Sequence, residues 1–201
     1  MPFRKDKRAL IAAFTRGPGD TVLVDLRPAE ARLLADLFGD LLDLLENDGP
    51  QPPRSGRPDP LAAELGLDGL GDDTPTARPD DPALARLFPD AYPDDPDATA
   101  EFRRYTQADL TAERRRRARV ALDCLGRIKG GGRLSLVPAE AAAWLGALND
   151  LRLVLGTRLE ITVDDQEPGQ DFGPGDPRAA YIPVYYYLGY LQETLVEALS
   201  G

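Results

Sequence analysis

The sequence predicts an α+β fold, predominantly α, and three observations lead there. First, Leu26-Arg27-Pro28-Ala29-Glu30-Ala31 recurs 110 positions later as Leu136-Val137-Pro138-Ala139-Glu140-Ala141. Second, each copy sits between a short β-prone run and a stripe of leucines at helical spacing. Third, the likeness extends outward, with Val24 against Leu134, Asp40-Leu41 against Asp150-Leu151 and Leu45 against Leu155. One strand-helix unit cannot cover its own apolar face, so the two repeats are expected to pack together about a rough two-fold axis. At 201 residues and 42% apolar, the chain has material for one core and too little for two large ones. Residues 1–201 therefore read as a single domain with a small β-sheet, one long basic helix and a C-terminal helix.

Residues 9–14 and 21–26 are β-prone and flank Arg16-Gly17-Pro18-Gly19-Asp20, a hairpin signal. Pro28 then opens a helix at its first position, where the missing N–H costs nothing. Leu34, Leu37, Phe38, Leu41, Leu42 and Leu45 form its buried stripe, widened by Leu33 and Leu44. Residues 47–96 hold eleven of the nineteen prolines among Asp and Gly, so irregular chain is expected there. Brief helices at 60–65 and 82–88 interrupt it, and 51–57 and 69–78 read as mobile. A long helix over 97–128 follows, with Phe102, Tyr105, Ala112, Ala121, Cys124, Leu125 and Ile128 on its apolar side. Gly130-Gly131-Gly132 ends it.

The second repeat supplies a strand at 133–136 and a helix opened by Pro138, with Trp144, Leu145, Leu148, Leu151 and Leu155 inward and Gly156 as the stop. Leu159, Ile161 and Val163 alternate, either as a third short strand or as a ragged helix end. Residues 164–178 form an acidic Gly/Pro loop. The last helix, over 179–199, is expected to bury Tyr181, Val184, Tyr185, Leu188, Leu191, Leu195 and Leu199. Tyr186 and Tyr190, with Tyr187 adjoining, lie off that face. The helix is thus aromatic over more of its circumference than one buried contact requires, which marks these three as a partner interface.

Composition excludes several function classes. The chain has no histidine, the commonest zinc ligand and the usual general base near neutral pH, which argues against zinc hydrolases and Ser/His/Asp triads. One cysteine rules out an intrachain disulfide and fits a cytoplasmic location. No apolar run approaches membrane-spanning length. A net charge of -10 opposes non-specific binding of nucleic acid by the whole surface. Residues 103–133 are the exception, with ten basic side chains against three acidic ones.

Glu30 and Glu140 occupy matching third helical positions. Two carboxylates related by a pseudo-dyad could serve acid–base or metal chemistry. A glutamate in that position more simply satisfies free N–H groups and complements the helix dipole, and this structural role is the better reading. No catalytic, cofactor or metal site is assigned. Arg114, Arg115, Arg116, Arg117 and Arg119 spread around most of a helical turn, so they cannot all face solvent equally. An inward arginine needs a carboxylate, for which Glu30 and Glu140 are the candidates. The run reads either as a solvated, ion-paired face, with Glu113 and Arg117 in the favourable i,i+4 order, or as a site for phosphate or an acidic protein. Cys124 reads as a buried inert thiol or, beside Arg127 and Lys129, as a redox sensor limited to sulfenic acid or an intermolecular bond. The glycines at 130–132 follow a helix and precede a strand, the reverse of a phosphate-cradling loop. Asp72, Asp73, Asp80, Asp81, Asp94 and Asp95 lack calcium-loop spacing and read as solvated loop charge.

Several segments together resemble an actinobacterial family of uncharacterised domains. They are Asp81-Pro82-Ala83-Leu84-Ala85-Arg86-Leu87-Phe88-Pro89-Asp90-Ala91-Tyr92, Glu101-Phe102-Arg103-Arg104-Tyr105, Leu148-Asn149-Asp150-Leu151-Arg152-Leu153 and Leu188-Gly189-Tyr190-Leu191-Gln192-Glu193. Members are often encoded beside the adaptor of the Clp protease, and some are described as oxidative-stress transcription regulators. The resemblance implies a non-enzymatic regulator acting through protein contacts, with a homodimer mate or a sigma-factor-like regulator as partner. DNA binding through the arginine helix, and an adaptor role in Clp proteolysis, are the alternatives; no helix-turn-helix is evident. A redox switch of the family type is expected to use a close cysteine pair, which this chain, with Cys124 alone, does not have.

Overall fold

The computed structural model describes residues 12–48, 78–162, 169 and 172–200. Its sheet is antiparallel, with strands β1 (Phe14–Arg16), β2 (Val22–Leu26) and β3 (Gly132–Leu136) in that order. The Gly/Pro hairpin forms as expected: the Gly17 N–H donates to the Thr21 carbonyl at 2.7 Å, and Asp20 takes a left-handed φ of 60°. Alternation is plain in β2, where Val22, Val24 and Leu26 are buried and Asp25 is exposed.

Helix α1 (Pro28–Asp43) leaves β2 directly, and α4 (Pro138–Arg158) leaves β3 in the same way. Between them lie the short α2 (Pro82–Leu87) and the long α3 (Pro96–Gly126); α5 (Ile182–Ser200) ends the fold after a 3₁₀ turn at Pro177–Tyr181. β2 pairs with β3 so that Val24 faces Leu134, Val22 faces Leu136 and Leu26 faces Gly132. Val24 and Leu134 are themselves equivalent positions of the repeat. The pseudo-dyad therefore passes through this pair, and the two strand-helix units meet there. The core gathers around Trp144 on α4, which is fully buried and met edge-on by Phe14 of β1 at 5.8 Å and Phe38 of α1 at 5.4 Å. Leu34, Leu41, Leu148, Leu188, Leu191 and Leu195 complete it from three helices.

The glycine run joining α3 to β3 is fixed by crowding. Gly131 has φ +114°, and a Cβ there would lie 2.8 Å from the Pro28 nitrogen and 3.0 Å from the Leu26 carbonyl oxygen. The start of β3 thus presses against the β2–α1 corner. α1 ends in a widened π-helical turn, Leu44–Asp48.

Four expectations need correction. In the first half of α3, Phe102, Tyr105 and Ala112 are exposed, while Thr99, Arg103, Gln107 and Thr111 face inward. This half and the turn after it lie over residues 87–90: the Arg103 guanidinium donates to the Phe88 carbonyl and that of Arg114 to the Leu87 carbonyl. Polar contacts of Thr99, Arg103 and Arg114, not an apolar pattern, mark that face, and the Gln107 amide is buried there without a hydrogen-bond partner among the described residues. On α5 and its 3₁₀ lead-in, Tyr181 and Leu199 are exposed, because the helix overruns the core at both ends. Leu159 and Ile161 belong to no strand: α4 closes with Glu160 at φ +56° and the Ile161 N–H bonded back to the Gly156 carbonyl, a Schellman-type stop. Asp81 and Asp95 cap α2 and α3, accepting from the N–H groups of Ala83, Leu84 and Ala98. The expected helix at 60–65 and the segments 51–57 and 69–77 lie outside the described residues, as do residues 9–11 and Val163.

Candidate interaction surfaces

α5 packs on the core through Leu188, Leu191, Thr194 and Leu195, and this arc leaves the opposite side of the helix in solvent. Thr194 is buried because its hydroxyl accepts the Phe14 N–H at 3.1 Å, covering the outer edge of β1. Of the three tyrosines expected to form a partner surface, Tyr186 and Tyr190 are 51% and 38% exposed. Tyr187 is not their companion. It turns toward α1 and lines a groove of about 250 Å³ with Arg27, Ala29, Glu30, Leu33, Pro183 and Val184. Its hydroxyl is buried without a hydrogen-bond partner, and burial next to Glu30 pushes its pKa well up.

The arginine run of α3 is distributed much as helical geometry requires, with two side chains inward. The Arg114 guanidinium donates to the Asp150 carboxylate of α4 and lies 5.4 Å from the centre of the Phe88 ring. Asp150, not Glu30 or Glu140, is the carboxylate that meets an inward arginine. It is almost completely buried, and burial raises its pKa despite Arg114. Arg115 donates to the Leu45 carbonyl, in the π-helical turn that follows α1. Arg116 and Arg117 both pair with Glu113, which they hold down to about pH 2, and Arg119 pairs with Glu46. All five guanidinium groups thus have intramolecular partners.

Glu30 and Glu140 both reach back to their own helix starts, where Glu30 accepts the Arg27 N–H at 2.8 Å and Glu140 the Val137 N–H at 3.0 Å. Glu30 also accepts the Ala12 N–H and the Arg27 side chain. Val137 in the second repeat offers no such cation, and Arg127 from the end of α3 takes its place, bonding Glu140 through both terminal nitrogens. Burial alone would raise both carboxyls, but these donors bring them below the ordinary range. The two glutamates serve separate helix starts.

Cys124 is buried under this second ion pair, beside Trp144, and burial pushes its thiol up. Among the described residues no group of three or more His, Cys, Asp or Glu side chains could hold a metal ion, and no helix is long and apolar enough to cross a membrane. Sequence reasoning missed the Tyr187 groove and Asp150. The second carried a signal: an aspartate between Leu148 and Leu151 on a buried stripe demands a cation.

Residues 11–199 match the model of a domain of unknown function, DUF2017. The oxidative stress regulator AosR of Mycobacterium tuberculosis is 35% identical over 190 residues, spanning 88% of this chain and 81% of that protein. The putative oxidative stress regulator AosR of Mycobacterium leprae is 37% identical over 187 residues, spanning 87% and 80%. No solved structure matches.

Proposed function

The chain belongs to the DUF2017 family, and from that premise we propose that it is a cytoplasmic regulator of the oxidative-stress response that acts by contact with a protein partner. The relatives' names support the regulatory role. The single observation that supports the contact surface is the exposed face of α5, where Tyr186 and Tyr190 stand out from a helix already anchored on its other side. Tyrosine pairs of this kind are over-represented among residues whose truncation costs most in protein interfaces.

Tyr186→Ser/Tyr190→Ser is the test. Both side chains lie outside the core, so the variant is expected to keep the wild-type melting temperature. Tagged wild-type protein, expressed in its own cells with and without peroxide, is expected to retain a component of the transcription apparatus that the variant loses, read by mass spectrometry. Equal retention by both proteins contradicts the α5 surface. A reading in which α3 binds DNA predicts salt-sensitive retention of duplex DNA by the unmodified protein. The five arginines are already bonded within the chain, which weighs against it.

A further inference from the structure

Residues 182–200 contain no lysine or arginine. On the exposed side of α5, Tyr186, Tyr190, Glu193 and Glu197 follow at spacings of four, three and four, which places them in one stripe along the helix. Among the described residues neither Glu193 nor Glu197 has an ion-pair partner, and no guanidinium lies over Tyr186 or Tyr190. Elsewhere the chain makes such pairs repeatedly: Arg152 sits 5.4 Å from the centre of the Tyr185 ring, Arg104 4.6 Å from that of Tyr105, and Arg178 4.6 Å from that of Phe172. The stripe thus has both halves of an arginine receptor, two rings followed by two carboxylates along one line, and no cation on its own helix to fill it.

We propose that this stripe receives an arginine-bearing amphipathic helix of a different protein, a reading that rests on the α5 contact surface above and specifies its partner. The charges decide between occupants. In a symmetric pair of copies, the two α5 helices would bring four unpaired carboxylates together across the dyad, a repulsive arrangement. A cationic helix meets opposite charge at Glu193 and Glu197, stacks its guanidinium groups on Tyr186 and Tyr190, and finds apolar cover beside the stripe at Val196, which is 45% exposed. The net charge of -10 favours its approach.

The probes are two designed leucine-rich helical peptides, one with arginine at its polar positions and the other with glutamate there. Each is titrated by fluorescence anisotropy into the full chain. The arginine peptide is expected to bind and the glutamate peptide not to. Tyr186→Ser/Tyr190→Ser should weaken binding roughly fivefold or more per ring, the range of cation–π contacts. Glu193→Lys/Glu197→Lys should abolish it. Asp109→Lys/Asp123→Lys, on exposed positions of α3, makes the same change in net charge and should leave most of the affinity. Equal losses in the two charge variants would show attraction to bulk charge only and overturn the proposal, as would equal binding of both peptides. A cellular partner lost from the tyrosine variant but retained by Glu193→Lys/Glu197→Lys would keep the α5 surface and eliminate its cationic occupant.

Discussion

Glu30 shows how much one side chain can hold together. Its carboxylate bonds the start of α1 through the Arg27 N–H and the approach to β1 through the Ala12 N–H, so helix and sheet are fixed to each other at a single residue. Burial works against its charge and the donors around it win, leaving the carboxyl below its ordinary value of 4.5. A carboxyl depressed in the native state stabilises the fold above its unfolded pKa, and this stability is lost as pH falls through the folded value. Glu30→Gln should therefore lower the unfolding free energy by about 1–2 kcal/mol near neutrality, and flatten the loss of stability below about pH 4.5, in urea titrations at a series of pH values. Cys124 makes a second prediction at this scale. Its burial and raised pKa leave almost no accessible thiolate, so alkylation in the native protein should run at least about 100-fold slower than in urea. Fast alkylation at neutral pH would restore the exposed-sensor reading.

Helices carry the next layer, and α3 is the least ordinary of them. Its last third packs by size, through Ala118, Ala121, Cys124 and Leu125, while Arg103 in its first half and Arg114 just past its middle pack by hydrogen bonds to the 87–90 segment. The Arg114–Asp150 contact joins it to α4, and removing one member leaves the other buried and unpaired. Arg114→Leu should cost about 3 kcal/mol, and Arg114→Leu/Asp150→Asn less than the two single changes together. Calorimetric melts of the four proteins supply that cycle; strict additivity would mean that the pair does not interact. The physical basis of this contact also explains what the sequence revealed. Both Pro-Ala-Glu helix starts, the hairpin and the leucine stripes were legible because local chemistry fixes them. The inner face of α3 was not, because its partners are main-chain carbonyls about 15 to 27 residues away, and those leave no trace in apolar periodicity. The α5 surface was half legible: Tyr186 and Tyr190 follow from helical spacing, whereas Tyr187 goes wherever α1 leaves room.

At the scale of the molecule, the pseudo-dyad decides whether the two repeats are one folding unit or two. Asp40 and Asp150 are equivalent in sequence, yet Asp40 is exposed and Asp150 is buried against Arg114, so α3 breaks the symmetry at the helix ends. It persists in the sheet, where equivalent residues Val24 and Leu134 face each other and both are nearly inaccessible. One step along, on the solvent side of the same strands, Asp25 and Arg133 form an ion pair in which both side chains are more than 60% exposed. The two faces should respond very differently to truncation. Leu134→Ala removes core contacts from both repeats at once and should cost about 2–4 kcal/mol, whereas Arg133→Ala should cost less than about 1 kcal/mol. Because the buried pair joins both halves, Leu134→Ala should lower the midpoint of urea unfolding without splitting the transition. Independent repeats would behave otherwise: Leu134→Ala would unfold the β3–α4 half first and produce two transitions by circular dichroism and tryptophan fluorescence. Trp144 belongs to that half, but Phe14 and Phe38 from the other half close on it, so both signals should report one event.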